Sequence, residues 1–171
     1  FFLDTGVTHG YIVIMEAMFM EKILFMNFSP NKEGNTFSIG EKLLEGKDYD
    51  AVQMSDYKIS QYGQVFANDQ IKEVFDKIKD YDTLVIGTPV YWYTVSGLLK
   101  TFIDRLYMLP EAEGLNGKNL YLFAQGSGPD NDTVKSITFL ANRLCTLMGM
   151  NLKGVCVDTA DGRKILSKMA I

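Results

Sequence analysis

Short unbroken apolar runs alternate along this chain with longer stretches in which apolar residues return every three or four positions. The runs Ile23–Met26, Leu84–Ile86, Leu120–Ala124 and Val155–Val157 read as strands, with Ala51–Met54 a second, weaker one, and Leu84–Ile86 has the look of a parallel strand covered on both faces, because a strand with one wet face would alternate instead. Each is followed by a helical pattern. Thr36 opens one carrying Ile39, Leu43 and Leu44, which closes near Gly46, and Asn68 caps one carrying Ile71, Val74, Phe75 and Ile78. The third carries Leu99, Phe102, Ile103, Leu106 and Leu109. The fourth carries Val134, Ile137, Ala141, Leu144 and Met148 and ends at Gly149, and a short closing helix starts near Asp161. Five strands each followed by a helix predict an α/β fold, a doubly wound five-stranded parallel sheet with helices on both faces, since parallel neighbours need right-handed crossovers. The common order for such a sheet is 2-1-3-4-5, and ligands bind beyond the strand C-termini where the order reverses, between strands one and three.

The two unusual connections leave those very strands. The first, Ser29 to Asn35, offers hydroxyl and amide donors from Ser29, Asn31, Asn35 and Thr36, with Gly34 permitting close backbone approach. The helix beginning at Thr36 points its free amides and positive dipole end at this loop, as a phosphate cradle requires. The competing reading is a capped helix start in which Asn35 or Thr36 satisfies the first turn. Walker and dinucleotide-loop patterns are absent from it. The second connection, Thr88 to Val95, is expected to be a loop. Pro89 removes a donor there, and Tyr91, Trp92 and Tyr93 offer flat apolar surfaces, so a planar polar ring would fit against it. For Trp92 the alternatives are ligand contact or an anchor to the core. Asp104 and Arg105 read as helix-surface or interface charges.

Composition narrows the chemistry. With 171 residues, 47% hydrophobic and 22% charged, the chain is sized for one globular domain. A net charge of -4 without any basic cluster argues against a nucleic-acid partner. Cys145 and Cys156 lie inside apolar patterns and form no Cys-x-x-Cys unit, which suits inert core thiols and a cytoplasmic setting. One histidine and two cysteines leave little material for a zinc or histidine-based catalytic site. Residues 1–19 are expected to form an N-terminal extension ahead of a domain spanning 20–171. They lack the positive n-region of a secretory signal, and Tyr11–Met15 is too short to span a bilayer. That segment is expected to pack on the domain or on a second copy of it, with His9 as a surface or contact residue.

The run Lys22–Thr36 (KILFMNFSPNKEGNT), together with Gly87–Arg105 (GTPVYWYTVSGLLKTFIDR), resembles the flavodoxin-like NAD(P)H-dependent FMN reductases and related quinone reductases. The likeness extends from about Met20 to the C-terminus, and the second motif is the more specific. It implies a flavodoxin-like fold and an FMN cofactor, with NADH or NADPH as co-substrate and a small-molecule electron acceptor such as a flavin or quinone. A homodimer is implied too, without nucleic-acid or membrane partners. By the same resemblance Ser29, Asn31, Gly34, Asn35 and Thr36 would hold the phosphate and ribityl chain. Pro89, Val90, Tyr91 and Trp92 would border the isoalloxazine, and Gly126 and Ser127 would line its far edge. Phe28-Ser29-Pro30-Asn31 replaces the Gly-Ser-Pro-Arg found in many relatives, so the charged phosphate partner is missing. Lys32 is the substitute at hand, and weaker FMN retention is the expected consequence. Asp56 to Asn68 contains no cysteine, which excludes the relatives that carry an iron-sulfur centre there.

The chemistry would then belong mostly to the cofactor, in keeping with a chain so poor in catalytic side chains. A receiver domain would need acidic residues after strand one, and a small phosphatase would need a cysteine and an arginine there; Asn27-Phe28-Ser29 supplies neither. The remaining rivals are a flavodoxin-type electron carrier serving protein partners and a domain that has lost its cofactor and serves only for interaction.

Overall fold

The apolar strands pair side by side into one parallel sheet whose register is set by where each run stops. The computed structural model describes residues 21–107 and 109–171, so the expectations for residues 1–20 lie outside the described residues. Strands β1 (Ile23–Asn27), β2 (Tyr49–Gln53), β3 (Thr83–Tyr91), β5 (Asn119–Gly126) and β6 (Asn151–Thr159) lie in the order β2-β1-β3-β5-β6. This is the order predicted. A two-residue strand, β4 (Thr94–Val95), adds to β3 alone. Helices α1 (Asn35–Leu43), α2 (Ile71–Ile78), α3 (Gly97–Arg105), α4 (Asn131–Met148) and α5 (Arg163–Lys168) fill the crossovers.

Side chains alternate across the strands and so divide the core in two. Leu24, Met26, Leu84, Ile86, Leu120 and Leu122 pack with α2, α3 and α4 on one face. Ile23, Phe25, Val85 and Phe123 pack with Ile39 of α1 and Ile165 of α5 on the other. Burial on both sides explains why these strands read as continuous apolar runs.

Four local expectations change. The second aromatic connection is a β-hairpin, because β3 runs through Gly87 and Pro89 to Tyr91, pairing Val90 with Val95 and Tyr91 with Thr94. Part of the backbone of this connection is therefore committed to a ladder rather than open to a ligand. The turn holds only Trp92 and Tyr93, at φ 48° and 63°. Positive φ at both centres is the type I′ arrangement, which matches strand twist but normally takes Asn and Gly. The helix expected to be capped by Asn68 begins at Ile71, where Asp69 Oδ1 accepts the Ile71 amide at 3.0 Å. The third helix ends at Arg105, so Leu109 falls outside it.

Arg105 is no surface charge. Its guanidinium pairs with Asp69, and Nη1 donates to the Ser60 carbonyl at 2.9 Å, with only 17% and 14% of the two side chains exposed. The pair clamps the irregular segment between β2 and α2 onto α3. Burial acts to raise the Asp69 pKa, but the Ile71 amide, Ser60 and Arg105 outweigh it, so the carboxyl lies below its ordinary value.

A depressed carboxylate stabilises the fold above its unfolded pKa and loses that contribution as pH falls through the acid range. Arg105→Ala should cost about 2–3 kcal/mol at pH 7, by stranding a half-desolvated carboxylate. Urea unfolding should show the cost shrinking as pH falls through the carboxylate range and Asp69 protonates in the variant. The hairpin gives the opposite sign. Replacing Trp92 by Asn and Tyr93 by Gly relieves two strained residues and should stabilise the domain by about 1–2 kcal/mol. Calorimetry would read this as a Tm higher by about 2–8 °C.

Candidate functional site

Strands β1, β3 and β5 end together at one edge of the sheet, and hydrogen bonds join the segments that leave them. Phe28 N donates to the Gly87 carbonyl at 2.8 Å, prolonging the β1–β3 ladder by one rung. Ser96 Oγ donates to the Phe28 carbonyl at 2.8 Å, and Ser96 N donates to Thr88 Oγ1 at 3.0 Å. Gln125 Nε2 donates to Thr36 Oγ1 at 2.9 Å across the buried centre. The first loop, the hairpin and the β5–α4 loop thus meet, which brings Ser29–Thr36, Pro89–Trp92 and Gly126–Ser127 to one end of the molecule.

Within the first loop, Ser29 and Thr36 are buried, whereas Asn31 and Asn35 are exposed. Ser29 Oγ accepts the Asn31 amide at 3.1 Å and so folds the loop back on itself. Helix α1 has Gly34 as its N-cap, and no side chain caps it. Neither Asn35 nor Thr36 satisfies the first turn, so the capped-start reading of the loop does not hold. The amides at the head of α1 keep the capacity to bind an anion. Lys32 instead salt-bridges Asp56 at 2.7 Å, an exposed pair that takes the replacement cation into a contact of its own.

Sequence reasoning missed the amides beneath this loop. Ser29 N donates to Asn27 Oδ1 at 3.1 Å, Asn27 Nδ2 donates to Gln53 Oε1 at 2.7 Å, and Gln53 Nε2 returns to the Ser29 carbonyl at 2.6 Å. Asn27 and Gln53 are the last residues of β1 and β2, and Gln125 is the penultimate residue of β5. An amide side chain closing an apolar strand was the available signal, and all of these point to the same edge of the sheet.

At the hairpin end, Val90, Trp92, Tyr93, Gly126, Ser127, Gly128, Pro129 and Thr133 line a cleft of about 280 Å³. Gly126 is required there, since a Cβ would lie 2.9 Å from Val90 Cβ. Gly87 is required beneath, where a Cβ would meet the Phe123 ring at 2.5 Å and Thr36 Cγ2 at 2.9 Å. Trp92 is 90% exposed, so it does not anchor the loop to the core. Opposite, Asp130 Oδ1 accepts the Thr133 amide at 2.7 Å, and that bond chiefly holds its carboxyl below the ordinary range. Both cysteines are buried away from this edge, with burial pushing the Cys145 thiol up to about 11 and Cys156 upward too. No group of metal-ligating side chains occurs among the described residues.

A neutral, donor-rich pocket beside an exposed aromatic hairpin fits an anionic tail and a flat head. Residues 21–150 match the family described as NADPH-dependent FMN reductase. A Bacillus subtilis (strain 168) protein named as an NAD(P)H-dependent FMN-containing oxidoreductase is 28% identical over 78% of this chain and 82% of its own. An iron-sulfur flavoprotein of Archaeoglobus fulgidus is 34% identical over about half of each chain. Among solved structures, the Trp repressor binding protein of Bacillus subtilis superposes with a TM-score of 0.66 at 23% identity, covering 80% of this chain and 83% of that one. An FMN-dependent NADH-azoreductase of Bacillus anthracis, in complex with FMN, gives 0.62 at 14% identity over 86% and 93%. At such identities these two likenesses speak for the fold alone, while the family match spans most of the sequence. The chain belongs to the NADPH-dependent FMN reductase family and is a flavodoxin-like FMN oxidoreductase.

Proposed function

We propose that FMN lies with its phosphate and ribityl chain against Ser29, Asn31, Gly34, Asn35 and Thr36. Its isoalloxazine then borders Pro89, Val90, Tyr91 and Trp92, with Gly126 and Ser127 at the far edge. The observation that carries this reading is the bonded junction of the β1, β3 and β5 ends, with an uncapped helix start on one side and exposed aromatics on the other. Bound there, FMN would supply the redox chemistry between NADH or NADPH and a flavin, quinone or similar small acceptor. The protein's part is to bind and orient. Buried hydroxyls and helix amides take the phosphate, the close packing of Gly126 on Val90 keeps the ring slot narrow, and Trp92 and Tyr93 offer stacking surface to an incoming planar partner.

The working protein is a homodimer in this reading, with the exposed Tyr62, Val65, Phe66 and Tyr107 available to a second copy. Its setting is cytoplasmic, which suits free buried thiols. No helix among the described residues is long and apolar enough to cross a membrane.

Stopped-flow reduction of the purified yellow protein tests the enzyme against an electron carrier. NADH or NADPH should reduce the bound flavin far faster than free FMN, whereas equal rates would favour a flavodoxin-type carrier between proteins. Trp92→Ala should raise KM for a quinone acceptor by about tenfold, the loss of one stacking contact of about 1 kcal/mol or slightly more. Its melting temperature should not fall, because the indole is almost wholly in water.

A further inference from the structure

Both buried hydroxyls of the first loop have their acceptor side occupied by protein donors. Thr36 Oγ1 receives Gln125 Nε2 at 2.9 Å, and Ser29 Oγ receives the Asn31 amide at 3.1 Å. A hydroxyl has one proton to give, and within a helix a threonine ordinarily gives it to the carbonyl three or four residues back. Thr36 is the second residue of α1, so those carbonyls belong to the loop, and among the described residues nothing accepts its proton. Nor does any described group accept the Ser29 proton.

We propose that Gln125 is a positioning residue for phosphate recognition: by donating to Thr36 Oγ1, it fills the acceptor side of that buried hydroxyl and leaves its proton for the FMN phosphate. This inference rests on the placement of the phosphate at Ser29–Thr36. Gln125 does not touch the ligand itself. It reaches Thr36 from the neighbour of Gly126, on the strand that borders the ring cleft, and crosses β3 where Gly87 leaves room for the Thr36 methyl group. The Asn27–Gln53 pair holds the Ser29 backbone in place, while the Asn31 amide occupies its hydroxyl. The Ser29 N–H can only donate and its carbonyl can only accept, so Asn27 must present Oδ1 and Gln53 must present Nε2, and the bond between the two side chains is directed by that choice. Ser29 is thereby held at both ends. With Lys32 committed to Asp56, the cradle selects a phosphate by aimed neutral donors rather than by a cation.

Fluorescence titration of the full chain, freed of flavin, with FMN and with riboflavin isolates the phosphate contribution. Wild type should bind FMN more tightly than riboflavin. Gln125→Leu should weaken FMN binding about tenfold, the scale of one hydrogen bond to a charged group, and leave riboflavin unchanged. Gln125→Glu should lose more, since a carboxylate would take the Thr36 proton and repel the phosphate. Thr36→Val should match Gln125→Leu, the double variant should be no weaker than either, and Thr36→Ser should restore selectivity. Should Gln125→Leu fail to fold, the Thr36→Val and Thr36→Ser pair reads the same hydroxyl. Equal losses for FMN and riboflavin, or an unchanged ratio between them, would overturn the role of Gln125. A wild type that binds both ligands equally would instead overturn the phosphate placement, and the proposal with it.

Discussion

One hydrogen bond beyond the paired residues of β1, from the Phe28 amide to the Gly87 carbonyl, fixes where the chain may leave the sheet. It holds Phe28 in the core for one more position, so the polar loop starts at Ser29 with its direction already set. Phe28 itself is fully buried and packs on Phe102 of α3, with ring centroids 5.4 Å apart. Ser96 then bonds the Phe28 carbonyl while capping α3 through the Leu99 amide. The same few atoms therefore end β1, place the first loop and start the third helix. Moving any of them would shift both halves of the site together.

The hairpin works against that economy. Trp92 and Tyr93 occupy a turn that suits neither side chain, and each costs of order 1–2 kcal/mol in strain. Little of this is offset by burial, because Trp92 is 90% and Tyr93 67% exposed. Strain kept at an exposed aromatic pair beside a cleft agrees with the ring contact proposed for these residues. The clamp of Arg105 on Asp69 shows the contrasting case, in which a part-buried charge pair serves architecture by tying the β2–α2 segment to α3.

Much of the fold was legible because burial on two faces leaves a simple mark. Leu84, Val85 and Ile86 need no partner identified to be read as an inner strand, and Ile71, Val74, Phe75 and Ile78 declare their helix by spacing. Boundaries were less legible. Asp69 outcompeted Asn68 as the residue serving the start of α2 because its carboxylate also meets Arg105, a residue thirty-six positions away that no local pattern brings near. The hairpin was hidden for a related reason: Trp-Tyr is the wrong dipeptide for a type I′ turn, and only the adjoining ladder holds it there.

By itself, then, the sequence determined the succession of strands and helices through local periodicity, while the order of the sheet and the two segments at its switch point followed from the common arrangement of such folds. Tertiary structure alone decided what those segments could offer. It paired Lys32 with Asp56, left the head of α1 uncapped, and set Gln125 on Thr36 across eighty-nine residues of chain. The reason is physical: a periodic pattern says which face of an element is dry, whereas the direction of a hydrogen bond depends on donors and acceptors that meet only after the chain has folded.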